Sequence, residues 1–252
     1  IEKCKKNYPT ILVLKDFKNI KNLNINGVII ATPADKHLYF VKLCIKNKLN
    51  FLCEKPLDVN LSKWKNINYQ IKKMNIISAV AYPRRHSNGL IYLKKLIKEK
   101  KIGIIKSFNT NYSQDFIKYK PYYINTYYKN IKKGGGILLD ALSHHINMIT
   151  YLFGEIDKIN IISKKMVIKK IDGFDFAIII VEFKNKILGS ILGNQFQKPN
   201  YDIIEVIGTK GNIKFNRISG VLEILTNDKK NKTKLFKENW DDLLFKQIKL
   251  FI

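Results

Sequence analysis

The sequence predicts an α/β domain built on a parallel sheet, followed by an α+β domain with a largely antiparallel, open sheet. The first domain is indicated by strand and helix patterns that alternate along the first third of the chain. The second is indicated by a succession of short strands, separated by turns, after residue 154. We place the boundary after residue 84, so that the two predicted domains span 1–84 and 85–252.

In the predicted first domain, three apolar strands alternate with two helices. The strands have no polar face, which is typical of a parallel sheet that helices cover on both sides. The first strand stops at Pro33, and both helices mix apolar residues with lysines. In chain order, these elements are predicted at 27–32, 34–48, 51–53, 61–74 and 76–81.

The pattern changes after residue 85. A helix at 88–100, a strand at 104–112 and a Tyr- and Lys-rich loop precede a helix at 137–152, which Gly154 ends as a C-cap. Short turns then join consecutive strands, and short connections favour antiparallel pairing. The strands are predicted at 156–163, 175–183, 187–196, 202–207, 212–216, 221–226 and 233–236, before a final helix from residue 240.

Residues that follow the strands of the first domain are candidate site residues, because ligands bind at the carboxyl ends of parallel strands. Glu54, Lys55 and Pro56 directly follow the second strand. A lysine at this point is directed into the crevice, next to a glutamate that can orient it. Proline restricts the backbone there, and a cis bond would re-aim the lysine. Because lysine is abundant in this chain, the tripeptide alone is weak evidence of a site.

A second candidate segment begins the helix at 137–152. Three glycines at 134–136 allow a close backbone approach. Asp140, His144 and Asn147 then follow at i, i+4 and i+7, so they share one face of an otherwise apolar helix. A functional cleft and a paired structural histidine both fit this stripe. A metal site is disfavoured, because His145 lies about 100° around the helix from His144.

The charge of the chain does not indicate a specific nucleic-acid partner, although the formal net charge is +26. Lysines supply 43 of the 46 basic residues and are spread evenly, while only Arg84, Arg85 and Arg217 are arginines. Nucleic-acid-binding proteins cluster their charge and use arginine to read phosphates and bases. We expect only nonspecific attraction to polyanions.

Neither membrane insertion nor a disulfide framework is expected. No apolar run reaches the ~18 residues that a spanning helix needs. Cys4, Cys44 and Cys53 form no CxxC pair, and the last two lie in apolar segments. This is typical of reduced, buried thiols in a cytoplasmic protein.

Five short motifs together resemble the Gfo/Idh/MocA family of nicotinamide-dependent oxidoreductases, named after glucose–fructose oxidoreductase and inositol dehydrogenase. They are similar to the family's TP-xxx-H element, its EKP signature, an arginine after the next strand, its GGG-xxx-D-xxx-H segment and its G-xx-G strand turn. Each motif is common alone, whereas five in order along nearly the whole chain are specific. The matching segments here are Ala31-Thr32-Pro33 with His37, Glu54-Lys55-Pro56, Arg85, Gly134 to His144, and Gly208 to Gly211.

The resemblance implies a Rossmann-type first domain and an NAD- or NADP-dependent oxidoreductase that acts on a secondary hydroxyl of a sugar, polyol or sugar derivative. It implies that His144 exchanges the hydroxyl proton, with an ordinary pKa near ~6.5. Lys55 would stabilise the developing negative charge, and Asp140 would orient His144 or hold a substrate hydroxyl. Whether Lys55 or His144 takes the proton stays open. The implied cofactor contacts are Thr32, Pro33, His37, Glu54, Lys55 and Arg85, and the implied substrate contacts are Lys55, Asp140, His144 and Asn147.

The resemblance also implies a homo-oligomer that forms through the second-domain sheet. The family's Gly-rich dinucleotide loop and its ribose-selecting acidic residue have no counterpart here, so the choice between NAD and NADP stays open. We therefore expect an incomplete Rossmann-type sheet in a chain cut at both ends, with residues 1–6 as the tail of a helix. Two alternative functions remain: a noncatalytic family member that binds a sugar or nucleotide, and, less favoured, a basic nucleic-acid-binding protein.

Overall fold

The computed structural model of the protein describes residues 6–14, 16–17, 20, 23–226 and 231–252. These residues form two β-sheets, one of three strands and one of eight. Cys4, most of the helix tail expected at 1–6, and Lys229 and Lys230 lie outside the described residues.

The first sheet is parallel throughout, as predicted. Its strands are β1 (Gly27–Ile30), β2 (Asn50–Glu54) and β3 (Ser78–Ala81), which lie side by side in chain order. Helices α1 (Ala34–Lys46) and α2 (Trp64–Lys73) make the crossover connections that parallel strands need. The carboxyl ends of all three strands therefore meet at one edge of the sheet.

The core of this first unit forms between the sheet and its helices. Buried residues of α1 and α2, such as Val41 and Ile67, pack against Phe51 of the central strand. Cys44 and Cys53 are free thiols in the same core. Burial raises the pKa of Cys44 to about 11 and that of Cys53 to about 12, so both thiols are protonated at neutral pH.

The second sheet is largely antiparallel and open, which confirms the predicted class. Its spatial order is β11-β10-β9-β8-β4-β7-β6-β5, and the only parallel pair among the described strands of this second sheet is β4 with β7. The strands are β4 (Ile105–Ser113), β5 (Ile156–Lys164), β6 (Phe176–Phe183), β7 (Leu188–Asn194), β8 (Tyr201–Gly208), β9 (Gly211–Asn216), β10 (Val221–Thr226) and β11 (Lys232–Leu235).

Helices cover one face of this sheet. Helix α3 (Asn88–Lys98) and helix α4 (Ser143–Phe153) contribute Leu93 and Ile149 to a core that also holds Phe108 and Ile191 of the sheet. Side chains alternate between the two faces of a strand. The opposite face, which the described helices leave uncovered, therefore carries partly exposed apolar residues, including Ile178, Ile180, Leu192 and Ile203.

The segment between β4 and α4 consists of short helical turns. One α-helical turn at Phe116–Tyr119 and three 3-10 turns at Pro121–Asn125, Tyr127–Lys129 and Ile131–Lys133 lead to a π-helical turn at Leu138–Leu142. The sequence predicted a regular helix from residue 137. Its first turn is instead wide, because Gly136 (φ 84°) packs against Gly173 and the Ile137 amide donates to the Phe174 carbonyl oxygen at 2.9 Å.

Helix α5 (Trp240–Phe251) connects the two units. Asn239 caps its start through a reciprocal capping box with Asp242. At its other end, the Phe251 ring packs so closely on Gly27 of β1 that an added Cβ at Gly27 would lie 3.2 Å from the ring. None of the helices in the described part of the chain is long and apolar enough to cross a membrane.

Candidate active site

A cavity of about 720 Å³ lies at the carboxyl ends of β1, β2 and β3. Of the nine predicted site residues, it gathers six: Thr32, Pro33, Glu54, Lys55, Asp140 and His144. The other polar and aromatic residues that line it are Arg84, Tyr112, Gln114, Lys120, Tyr123, Tyr127 and Trp240. A larger groove of about 940 Å³ runs between α1 and α2, but four lysines line it without any carboxylate or histidine.

Lys55 and Asp140 form a partly buried ion pair across the cavity. Lys55 Nζ donates to Asp140 Oδ1 at 2.6 Å and to the Asp140 backbone oxygen at 2.8 Å. The two side chains are 15% and 12% exposed. The Lys55–Pro56 bond is cis. The Asp140 carboxylate binds the Lys55 ammonium, and no hydrogen bond joins it to the His144 imidazole among the described residues.

His144 lies on the cavity wall between two aromatic rings. The Tyr82 and Trp240 ring centroids are 5.6 and 5.9 Å from the imidazole centroid, and both contacts are edge-to-face. Its Nδ1 atom is buried and has no hydrogen-bond partner among the described residues. Burial, together with the positive charges of Arg84 and Lys55, holds the pKa of His144 far below its ordinary value. The expected ordinary pKa is therefore wrong, and the imidazole is neutral at neutral pH.

A group of charged residues, none of which was among the nine predicted site residues, adjoins the cavity through Arg84. Arg84 Nη1 donates to Asp202 Oδ2 at 3.1 Å, and Arg217 Nη1 donates to both carboxylate oxygens at 3.2 Å. Burial alone would raise the pKa of Asp202, but Arg217 and Arg84 hold it below its ordinary value. Two arginines thus share one buried carboxylate.

His145 belongs to the same buried group. Arg84 Nη1 lies 3.1 Å from His145 Nε2, and Thr110 Oγ1 lies 3.3 Å from His145 Nδ1. The Thr110 hydroxyl donates to the Ile203 carbonyl oxygen, so we assign the imidazole proton to Nδ1 and the acceptor role to Nε2. Complete burial lowers the pKa of His145 to about 3. Sequence spacing predicts only that His145 and His144 diverge; it does not reveal these partners.

The remaining three predicted site residues do not line the cavity. His37 is buried, with its ring nitrogens 3.0 Å from the Pro56 carbonyl oxygen and 2.8 Å from that of Thr32, so it ties two strand-end loops together. Arg85 Nε donates to Asn147 Oδ1 at 2.7 Å, which pairs two predicted ligand contacts with each other. Arg84 rather than Arg85 faces the cavity.

The β1 end of the cavity has features that suit a polar cofactor. Ala31 and Pro33 are exposed there, and the buried Thr32 Oγ1 has no hydrogen-bond partner among the described residues. Parallel strands that end in exposed backbone and an unpaired hydroxyl are suited to a polar cofactor. In the described part of the chain, no three His, Cys, Asp or Glu residues are arranged to hold a metal ion.

Comparison with known proteins identifies relatives for both units. Residues 2–82 match the model of an oxidoreductase family with an NAD-binding Rossmann fold, and residues 90–214 match the GFO/IDH/MocA C-terminal domain. The chain is 26% identical over 245 residues to myo-inositol 2-dehydrogenase of Thermotoga maritima, covering 92% of this chain and 70% of that protein. It is 27% identical over 221 residues to levoglucosan dehydrogenase of Pseudarthrobacter phenanthrenivorans, covering 78% and 57%.

Solved structures show the same architecture. A levoglucosan dehydrogenase in complex with NADH and levoglucosan has a TM-score of 0.83 and 26% identity, over 93% of this chain and 67% of that one. A levoglucosan dehydrogenase in complex with NADH has a TM-score of 0.89 at 23% identity, which shows the fold, over 99% of this chain and 76% of that one. The first family model includes Lys55 and the second includes Asp140 and His144, so the cavity lies where the two meet. The chain therefore belongs to the Gfo/Idh/MocA family of oxidoreductases, whose N-terminal unit is an NAD-binding Rossmann domain.

Proposed function

We propose that the protein transfers a hydride between NAD or NADP and a secondary hydroxyl of a sugar, polyol or sugar derivative. The observation that carries the proposal is the contact between Lys55 and Asp140, which lies beside His144 in one cavity. The cavity volume of about 720 Å³ is typical of small-molecule sites. Relatives named as inositol and levoglucosan dehydrogenases support the substrate class.

Thr32, Pro33, Glu54 and Lys55 would hold the nicotinamide end of the cofactor, because they lie at the ends of β1 and β2. When bound, the nicotinamide supplies the hydride acceptor or donor. The polar and aromatic wall formed by Tyr112, Gln114, Tyr123 and Trp240 would hold the substrate.

Lys55 handles the proton and the negative charge on the substrate oxygen. Its ammonium group is held by Asp140 at 2.6 Å, which fixes its direction. In the reduction direction the Nζ ammonium gives a proton to the oxygen, and in the oxidation direction the Nζ atom, as the neutral amine left by that step, takes the hydroxyl proton. The neutral His144 imidazole accepts a hydrogen bond from the substrate hydroxyl and so positions it, since its lowered pKa disfavours the imidazolium form.

We further propose that two copies of the chain associate through the uncovered face of the second sheet. Its partly exposed side chains, such as Ile178, Ile180 and Leu192, support this proposal, because monomers rarely expose a large apolar patch. We expect Ile180→Glu to shift the protein towards the monomer in light scattering, while Ile104→Glu, at an exposed position before β4, leaves the oligomeric state unchanged. Equal behaviour of both variants would contradict this proposal.

The cytoplasmic location expected from the sequence stays a proposal, supported by two free thiols.

The proposed activity is tested with the full-length protein and a panel of sugars and polyols, by following reduction of NAD or NADP. Lys55→Met keeps most of the apolar stem but removes the proton donor. We expect it to lower kcat by ~10²–10⁴-fold, the range for positioned proton transfer. Lys98→Met, at an exposed position on α3, is the matched control and should retain wild-type turnover. Cofactor binding without reduction by any member of the panel would favour the noncatalytic alternative.

A further inference from the structure

The charges under the cavity do not balance. Arg84 and Arg217 both bind Asp202, and the three side chains are only 10% to 13% exposed. His145 contributes no charge, because complete burial lowers its pKa to about 3. The group therefore keeps a net positive charge, and a buried charge is costly unless it is paired.

Neighbouring carboxylates do not supply the missing partner. Asp140 binds Lys55, and Glu54 Oε2 accepts a hydrogen bond from the Lys55 backbone amide. Neither carboxylate contacts Arg84. The cavity lining as a whole carries three cations, Lys55, Arg84 and Lys120, against the two anions Glu54 and Asp140. An anion that entered the cavity would thus meet an unbalanced positive charge.

Arg84 has the donors to bind such an anion. Both of its hydrogen bonds come from Nη1, so Nη2 makes none among the described residues, and the buried Nε has no partner there either. Its guanidinium lines the cavity and is anchored from behind by Asp202 and His145. A guanidinium presents five donors in a planar fork, which matches the oxygens of a carboxylate or phosphate.

We propose that the substrate carries a compact anionic group, a carboxylate or a phosphate, which binds to Arg84. The inference rests on the proposed oxidoreductase function and specifies its substrate class as an acidic or phosphorylated sugar or polyol.

The position of Arg84 assigns the anion to the substrate and not to the cofactor. Arg84 follows β3, whereas Thr32 and Pro33 follow β1, and β2 lies between these two strands. The anchors of Arg84 belong to the second unit, because Asp202 is on β8 and His145 is on α4. The anionic group would therefore lie on the side of the cavity away from the cofactor residues.

The test compares matched neutral and anionic substrates of the full-length protein at constant ionic strength. Glucose is paired with glucuronate and with glucose 6-phosphate, and myo-inositol with an inositol monophosphate, so the arms separate carboxylate from phosphate. We expect one anionic member to show kcat/KM at least about tenfold above its neutral partner, the effect of one charge-assisted hydrogen bond.

Variants then locate the effect. Arg84→Gln keeps a side chain of similar length without the charge and should abolish the preference, whereas Arg84→Lys should retain part of it. Lys98→Gln is the control for overall charge, since it removes one cation from an exposed site on α3 and should keep the full preference. If Arg84→Gln fails to fold, inhibition kinetics of the wild-type protein provide the test. Inorganic phosphate or malonate should then compete with the sugar and not with the cofactor.

Two results would overturn the inference while leaving the proposed function intact. One is equal or better turnover of the neutral member in every pair. The other is competition of the small anions with the cofactor. Failure of every neutral and anionic compound to reduce the cofactor would instead overturn the proposed function, and this inference with it.

Discussion

His144 lies between the rings of Tyr82 and Trp240, and only 7% of it is exposed. In this position a proton on the imidazole would lose its hydration and would face the charges of Arg84 and Lys55. The imidazole is therefore neutral in the folded protein. Its position could be predicted from the sequence, but its protonation could not, because burial and charged neighbours come from distant parts of the chain.

A pH profile tests the protonation of His144. Because the pKa of His144 is lowered, its titration moves to the acid side of the ordinary value of ~6.5. We expect kcat/KM of the wild-type protein to show no inflection near that pH. An inflection near ~6.5 that His144→Asn abolishes would show that the imidazole titrates normally and would contradict this account.

The sequence also could not show which of the two adjacent arginines, Arg84 or Arg85, faces the cavity. The resemblance implied a cofactor contact for Arg85, whereas Arg84 lines the cavity and Arg85 pairs with Asn147. Both lie in a 3-10 turn, Pro83–His86. Consecutive side chains of such a turn differ in direction by about a third of a revolution. Because the sequence did not predict this turn, it could not show which guanidinium faces the cavity.

At the scale of elements, the turn that carries Asp140 depends on contact between two backbone segments. Gly173 lies so close to Gly136 that an added Cβ would be 2.9 Å from the Gly136 Cα. The segment at 134–136 therefore uses its glycines to approach other parts of the protein, including the Tyr128 backbone and Ala34. From the sequence, these glycines were predicted only to allow a close backbone approach. The contacts show that they approach other segments of the protein.

Alanine substitution tests this packing. At Gly173 the obstructing atoms are backbone, so we expect Gly173→Ala to lower the free energy of unfolding by about 1–3 kcal/mol, the usual cost of overpacking. Gly27→Ala is the matched control, because the atoms it would meet belong to the movable Phe251 ring at 3.2 Å. Urea denaturation measures both variants, and equal losses would contradict the argument. Only Gly173→Ala should also reduce turnover, since it displaces the turn that holds Asp140.

Most strands were predictable from the sequence, whereas their spatial order was not. The alternation of apolar residues and the short turns place β5 to β10 within a few residues of their observed bounds. Neighbours in sequence are often neighbours in a sheet, but β4 lies between β7 and β8. Its parallel pairing with β7 depends on the helices between them in sequence, whose packing no local pattern encodes.

For the whole molecule, two of the buried histidines, His144 and His145, make stability depend on pH. The pKa of His144 is lowered in the folded protein, and that of His145 is lowered to about 3. Below about pH 6.5, the unfolded chain therefore binds protons at these two histidines that the folded chain does not bind. The free energy of unfolding should therefore fall as the pH falls, by ~1.4 kcal/mol per pH unit for each histidine that is neutral in the fold.

Urea denaturation between about pH 6.5 and 5 measures this dependence of the free energy of unfolding on pH. The window isolates the histidines, because carboxylates titrate mainly below it. In this window the free energy of unfolding of His144→Asn should change less steeply with pH than that of the wild-type protein. The difference in slope should approach ~1.4 kcal/mol per pH unit, which corresponds to one proton. An unchanged slope in this variant would mean that His144 is already protonated in the folded protein.

The contact of Phe251 with Gly27 has a consequence for the order of folding. It joins residues separated by almost the whole described length of the chain, and α5 also carries Trp240 into the cavity wall. Contacts between such distant residues form slowly, because the intervening chain must first lose much of its conformational freedom. The first sheet can pair its strands early from local crossovers, but the cavity closes only when α5 docks across both units. A folding intermediate in which β1, β2 and β3 are paired would therefore still lack the side of the cavity that α5 supplies.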